Sequence, residues 1–307
     1  MFHNSYLSMI TFKHKDIPIK TNLISSFFLC CIASVLMMNT GCAFKSVTRS
    51  KNITYFPADT SRHIEAQQLN IFAPKKSSSL KEVLIFIHGG SWNSGKKSTY
   101  NFLGNRFARK GVIMVIIDYP LSPAADYKDM AITAEASVNW VKENIYKYGG
   151  DPHKIFISGH SAGGHLAALI GTSNDYFNGK KSSNPLKGII LIDAAGLDMY
   201  TYLKEENFPE GNTYINTFTN DPVNWKDASP LYHIHNGMPP MLIYRGGKTY
   251  PSIKSSNEKF VATVTPLAPA TIYHVIKGKK HVPMITQFLF TYNKRYQEIL
   301  GFMKQQN

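Results

Sequence analysis

Residues 154–169 read KIFISGHSAGGHLAAL, and no other stretch constrains the chain so tightly. Lys154–Ser158 has the makings of a buried strand, and it runs without a break into Gly159-His160-Ser161-Ala162-Gly163. A run rich in Ala, Leu and Gly follows, as expected of a packed helix. Small residues two before and two after Ser161 permit a turn tight enough to lead a strand directly into a helix. Such a turn pushes the serine hydroxyl out of the sheet. It also sets that hydroxyl beside the free N–H groups and positive dipole end of the helix, which favour negative charge. The pattern is G-x-S-x-G in the strand-then-helix setting it requires, and it makes Ser161 a candidate nucleophile. The bland alternative is a glycine-rich turn with an incidental serine; the strand, the helix and Gly164 weigh against it.

The remainder of the chain supplies a sheet for that turn. Gln68–Phe72, Val83–Ile87, Val112–Asp118, Lys154–Ser158, Gly188–Asp193, Met241–Arg245 and Thr271–Val275 read as strands. Several are apolar at consecutive positions, as strands covered on both faces are. Between them, Ala134, Val138, Val141 and Ile145 recur on one helical face, and the pattern stops at Gly149-Gly150. Alternating strands and helices predict an α/β fold with a doubly wound, mostly parallel sheet. Met199–Pro240 breaks the rhythm. It is rich in Tyr, Asn and Pro and reads as a small insertion after the sixth strand, over the carboxyl edge where such sheets bind ligands.

Composition enters as an exclusion. With 18 Phe, 17 Tyr and 3 Trp in 307 residues, the chain is too aromatic to be disordered. Its formal net charge of +14 would suit phosphates or anionic surfaces. The basic residues are scattered, however; the densest cluster is Lys277, Lys279 and Lys280, with pairs at Lys75–Lys76, Lys96–Lys97 and Lys180–Lys181, and no helix-turn-helix or zinc spacing accompanies them. Nucleic acid is therefore not an expected partner.

Two further segments bear on chemistry. Val83–Ile87 runs into His88-Gly89-Gly90-Ser91-Trp92, a glycine turn whose N–H groups can meet a carbonyl oxygen as it becomes an oxyanion. Gly89, Gly90 and the Ala162 N–H are the expected oxyanion hole. His88 is read as a structural residue pinning this loop, and Trp92 as a wall of the substrate pocket, with plain core packing as its alternative. After the last strand comes Lys277-Gly278-Lys279-Lys280-His281, then an apolar helix. This puts His281 at the same sheet edge as Ser161, where an imidazole could take the serine proton. His160 and His165 flank the turn and are expected to point away from the serine hydroxyl. No clustered Asp/His pattern suggests a metal, and the chemistry needs no cofactor.

Together these motifs resemble the α/β-hydrolase superfamily, on the serine esterase and lipase branch that carries HGG-x-W and GHSAGG. That branch includes carboxylesterases, feruloyl-esterase-like proteins and kynurenine-formamidase-like enzymes. The resemblance runs from about Ile64 to Phe302 and includes Asp118-Tyr119-Pro120-Leu121-Ser122-Pro123 and Tyr148-Gly149-Gly150-Asp151-Pro152. It implies an α/β-hydrolase fold and serine-based hydrolysis. One departure matters. In most relatives the third triad member is an Asp in the loop after the seventh strand. Here that loop reads Arg245-Gly246-Gly247-Lys248-Thr249-Tyr250-Pro251, with Thr249 at the position best matching the Asp. Asp193, at the end of the sixth strand, is the expected acid, since the segment Leu191–Gly196 resembles the one where pancreatic-lipase-type enzymes carry theirs. Asp198 and Glu258 stay open as alternatives, as does the absence of any acid.

The amino terminus has a separate logic. Leu23–Met38 is an apolar run preceded by Lys13, Lys15 and Lys20, which fits an export signal better than a stable span. Thr40-Gly41-Cys42 then resembles the end of a bacterial lipobox, although Asn39 is not the usual aliphatic residue. Cys30, Cys31 and Cys42 are the only cysteines, so the chain beyond them can use no thiol nucleophile. The expected organisation is an export signal over 1–42 with Cys42 as a lipidation site, a tether over 43–63 and a catalytic domain over 64–307.

The expectation is thus an exported hydrolase, anchored in the cell envelope through lipid, that cleaves small carboxylic esters of short acyl chains. Its alternatives are an aryl-amide, formamide or peptide hydrolase with the same machinery, and a non-catalytic scaffold that binds rather than cleaves.

Overall fold

The computed structural model describes residues 46–75, 78–177 and 184–306. The expected export signal and the expected lipidation site at Cys42 lie outside the described residues. Eight strands form one sheet: β1 Val47–Phe56, β2 Gln67–Pro74, β3 Lys81–Ile87, β4 Ile113–Ile117, β5 Gly150–His160, β6 Leu186–Ile192, β7 Met241–Gly246 and β8 Ile272–Ile276. Their order is β1-β2-β4-β3-β5-β6-β7-β8. β1 pairs antiparallel with β2, and β2 antiparallel with β4. From β4 to β8 every pairing is parallel.

The alternation of side chains along each strand divides the core between two faces. On β3, Val83, Ile85 and Ile87 join one cluster, while Leu84 and Phe86 join the other. Helices cover both. α2 (Tyr127–Asn144), α3 (Ala162–Thr172) and α7 (Pro251–Leu267) bury Ala134, Leu166 and Phe260 in the first cluster. α1 (Asn101–Arg109), α8 (His281–Thr286) and α9 (Arg295–Gln305) bury Phe107, Met284 and Phe302 in the second. Strands so covered must be apolar throughout, and β4 is buried at all five positions. The expected doubly wound sheet is therefore present.

The expected tether is corrected. Residues 47–56, within 43–63, form β1. An edge strand has one neighbour and a solvated face, so it can be built without an apolar run. Only Tyr55 of β1 is buried, and Arg49, Lys51 and Asn52 are exposed.

Between β6 and β7 lie α4 (Met199–Glu206), α5 (Thr213–Phe218) and α6 (Pro222–Asp227), followed by a 3-10 turn over Pro230–His233. This is the expected insertion. Each helix starts where the sequence offers a capping side chain: Asp198, Asn212 and Asp221 accept the N–H groups of Thr201, Tyr214 and Val223. Among the described residues no helix is long and apolar enough to cross a membrane.

Candidate active site

β5 ends at His160, α3 begins at Ala162, and Ser161 between them has φ 56° and ψ −123°. The turn is possible only with glycine on both sides. A Cβ on Gly159 would run into the Gly163 carbonyl, and one on Gly163 into the Ile87 carbonyl. Ser161 N–H donates to the Ile192 carbonyl at 3.2 Å, which ties the turn to the end of β6. Ala162 opens α3, so its N–H is among the groups that no helical carbonyl can satisfy.

His281 opens α8 after the β8 turn. That turn is clamped to the end of β7 by Gly247 N–H on the Ile276 carbonyl at 2.9 Å and Lys248 N–H on the Lys279 carbonyl at 2.8 Å. The Ser161 hydroxyl donates to His281 Nε2 at 2.8 Å. His281 Nδ1–H, in the matching tautomer, donates to Asp193 Oδ2 at 2.7 Å. Asp193 follows β6 directly, has φ +49° and is 0% exposed. Its carboxylate also receives the Gly246 N–H on Oδ1 at 2.7 Å and the Thr249 hydroxyl on Oδ2 at 2.5 Å. The expected trio is thus in hydrogen-bonded contact. The other two carboxylates are engaged elsewhere. Asp198 caps α4 and pairs with Lys259 Nζ at 2.6 Å, and Glu258 pairs with Arg245 at 3.1 Å.

The glycine turn after β3 faces Ser161 across a cleft of about 760 Å³. Gly89, Gly90 and Trp92 line it, with Met199, Tyr202 and Tyr214 of the insertion on another side. Gly90 has φ +140°, and a Cβ on Gly89 would come within 2.8 Å of the His160 carbonyl oxygen, so both places call for glycine. His88 is buried beneath the turn, stacked on Tyr119 at 4.5 Å and bonded through Nδ1 to the Gly89 carbonyl at 3.0 Å. Burial lowers its pKa and keeps it neutral. Behind it Asp118 binds both the N–H and the Nζ of buried Lys97, and Tyr119 donates to the His88 carbonyl at 3.2 Å. The Asp118-Tyr119 pair of the sequence motif therefore braces the turn.

Trp92 both packs and lines the cleft. It is 2% exposed, and its indole N–H donates to His165 Nδ1 at 3.2 Å. His165 points away from the cleft as expected and bonds the Ala228 carbonyl at 2.6 Å, joining α3 to the insertion. Burial lowers its pKa to about 4. His160 has a contact that the sequence did not suggest. Its ring lies against that of His281, centroids 4.7 Å apart, and Nε2 bonds the His281 carbonyl at 3.3 Å. Burial, reinforced by the neighbouring His281, lowers its pKa to about 3, so a neutral ring backs the base. Tyr250, which the sequence did not single out, packs its ring 5.2 Å from that of His281 and forms a cleft wall. Nor did the sequence flag Thr249 as a partner of the acid; its only signal was that it stood where an Asp was expected.

Residues 69–258 match the BD-FAE family. That span is more than half of the chain. The chain belongs to the BD-FAE family. Among curated proteins it is similar to a probable isoprenylcysteine alpha-carbonyl methylesterase of Arabidopsis thaliana, 27% identical over 239 residues that cover 72% of this chain and 49% of the relative. It is also similar to the esterase LipQ of Mycobacterium tuberculosis, 28% identical over 242 residues that cover 76% of this chain and 56% of that protein. The chain thus spans about half the length of these relatives. Among solved structures it is similar to the butyrate-bound esterase Est2 of Thermogutta terrifontis, with a TM-score of 0.67, 22% identity and coverage of 86% of this chain and 94% of the other. The fold is that of an α/β-hydrolase.

Proposed function

We propose that the protein is a serine hydrolase of carboxylic esters with short acyl groups. One observation carries this reading: the unbroken line Ser161 Oγ, His281 Nε2, His281 Nδ1 and Asp193 Oδ2, with links of 2.8 and 2.7 Å and a fully buried carboxylate at its end. Ser161 Oγ attacks the acyl carbon while its proton passes to His281 Nε2. Asp193 holds the imidazole in the required tautomer and stabilises the imidazolium. The N–H groups of Gly89, Gly90 and Ala162 receive the oxyanion, each worth about 3 kcal/mol of barrier. The tetrahedral adduct collapses by breaking the bond to the alcohol oxygen, which takes the proton back from His281. Water then adds to the acyl-serine by the same path, releasing the carboxylic acid and restoring Ser161.

The short acyl preference is supported by the small insertion, three helices of six to eight residues, and by the butyrate held by the similar Thermogutta esterase. A binding scaffold would have no need of the aligned hydroxyl and imidazole. A fluorophosphonate probe tests the chemistry: wild type labels and Ser161→Ala does not. A panel of p-nitrophenyl esters from acetyl to decanoyl tests the substrate, with activity expected to peak at six carbons or fewer. A peak at twelve or more would overturn that part.

The proposal extends to location. The lysine-flanked apolar run and Thr40-Gly41-Cys42 support export and lipid attachment at Cys42, which several acyl chains would make a firm anchor. Cells fed an alkyne palmitate should label the protein, and Cys42→Ser should abolish the label; an unchanged label rejects the assignment.

A further inference from the structure

Thr249 sits in the turn after β7, and the reaction written above does not call on it. Its hydroxyl nevertheless donates at 2.5 Å to Asp193 Oδ2, the same oxygen that receives His281 Nδ1–H at 2.7 Å. The second oxygen takes the Gly246 N–H at 2.7 Å. Three donors therefore converge on one carboxylate that has no exposure to solvent. Two of the three come from β7 and its turn, although the carboxylate itself comes from β6. The N–H at position 246 belongs to the backbone and needs no side chain; the hydroxyl needs Thr or Ser at position 249.

The turn that carries this hydroxyl is itself fixed. Gly247 N–H and Lys248 N–H bond the Ile276 and Lys279 carbonyls of the neighbouring loop, the loop that leads to His281. Thr249 thus reaches the acid from a frame shared with the base. On its other side, Tyr250 packs against the His281 ring and lines the cleft. A carboxylate leaving β6 must lean toward β7 to meet the imidazole, and a free carboxylate can swing about its side-chain bonds. The hydroxyl removes that freedom at the one oxygen whose direction matters.

We propose that Thr249 is a positioning residue for the proton relay: its hydroxyl locks Asp193 Oδ2 in line with His281 Nδ1–H, so that an acid on β6 orients the base. This rests on the reading of Ser161, His281 and Asp193 given above. A residue that merely stapled β6 to β7 would, when removed, lower thermal stability and leave the kinetics alone. A positioning residue lowers kcat and leaves KM in place, because it acts on proton transfer and not on substrate binding.

The experiment compares wild type with Thr249→Val, Thr249→Ala and Thr249→Ser on p-nitrophenyl acetate, with thermal melting for each and the low-field proton spectrum of the His281–Asp193 bond. Val and Ala should lower kcat by about 10- to 100-fold, with KM within about twofold and the low-field resonance shifted or broadened. Ser keeps the hydroxyl and should restore kcat to within about threefold of wild type. Thr249 is only partly buried, so the Ala variant should fold even if Val does not. If Val or Ala variants that fold keep wild-type kcat and an unchanged resonance, or if Ser is as impaired as Ala, the assignment fails. A wild type that neither labels with fluorophosphonate nor hydrolyses the ester would instead overturn the reading of the site itself.

Discussion

The ends of β6 and β7 make an instructive pair. The strands are parallel neighbours in register, Ile192 beside Tyr244, and β7 is buried along its whole length. Both reach the same edge of the sheet below the same cleft. β6 ends on a carboxylate, whereas β7 ends on donors: the Gly246 N–H and, three residues on, the Thr249 hydroxyl. Adjacent strands lie only about 4.8 Å apart, so a side chain leaving either end can meet one imidazole. What the base requires is a charged oxygen at Nδ1 and fixed donors behind it. Here β6 supplies the oxygen, and β7 with its turn supplies the donors.

The sharpest test of that division is Asp193→Asn. Asn tolerates the left-handed backbone that Asp193 adopts at φ +49°, so the fold should survive. Turnover of p-nitrophenyl acetate should nevertheless drop by about 10⁴-fold, as in other triads stripped of their acid. Retention within about fivefold would mean that β6 does not supply the acid. Next in size is the exchange Asp193→Asn with Thr249→Asp, which moves the carboxylate to the neighbouring strand. Thr249 Oγ1 already lies 2.5 Å from the present acid oxygen, and Asp is one atom longer. The double variant should regain about tenfold or more over Asp193→Asn alone; no recovery would show that the two strand ends are not interchangeable.

Smaller effects are expected from the carboxylates that stand aside. Asp198→Ala removes the α4 cap and the partner of Lys259, and should cost about 1 kcal/mol in thermal or urea unfolding while kcat stays within about fivefold. Glu258→Gln breaks a half-exposed pair with Arg245 and should change stability by about 0.5 kcal/mol and turnover hardly at all. A large kinetic loss in either would move the acid away from Asp193.

Much of this was legible in the sequence because it depends on local pattern. Runs of apolar residues gave away several of the strands from β2 to β8, and the glycines around Ser161 declared the turn. His281 was found by its place after the last strand. The choice among Asp193, Asp198 and Glu258 was not local. All three follow β6 or β7 within a few turns of chain, and only the folded sheet shows one facing His281 and the others facing Lys259 and Arg245. β1 escaped notice because a half-exposed edge strand carries no apolar run. Thr249 and His160 escaped for a related reason: a donor to a distant carboxylate and a ring stacked on a distant base leave no trace in sequence spacing.

The backbone of Ser161 has a further consequence. At φ 56° and ψ −123° Ser161 occupies a region that only glycine enters without cost, and the packed β5–α3 junction holds it there. The protein thus gives up part of its folding free energy to keep its hydroxyl presented. Ser161→Gly should release that strain: a variant without turnover, yet about 1 kcal/mol more resistant to thermal or urea unfolding than the active protein.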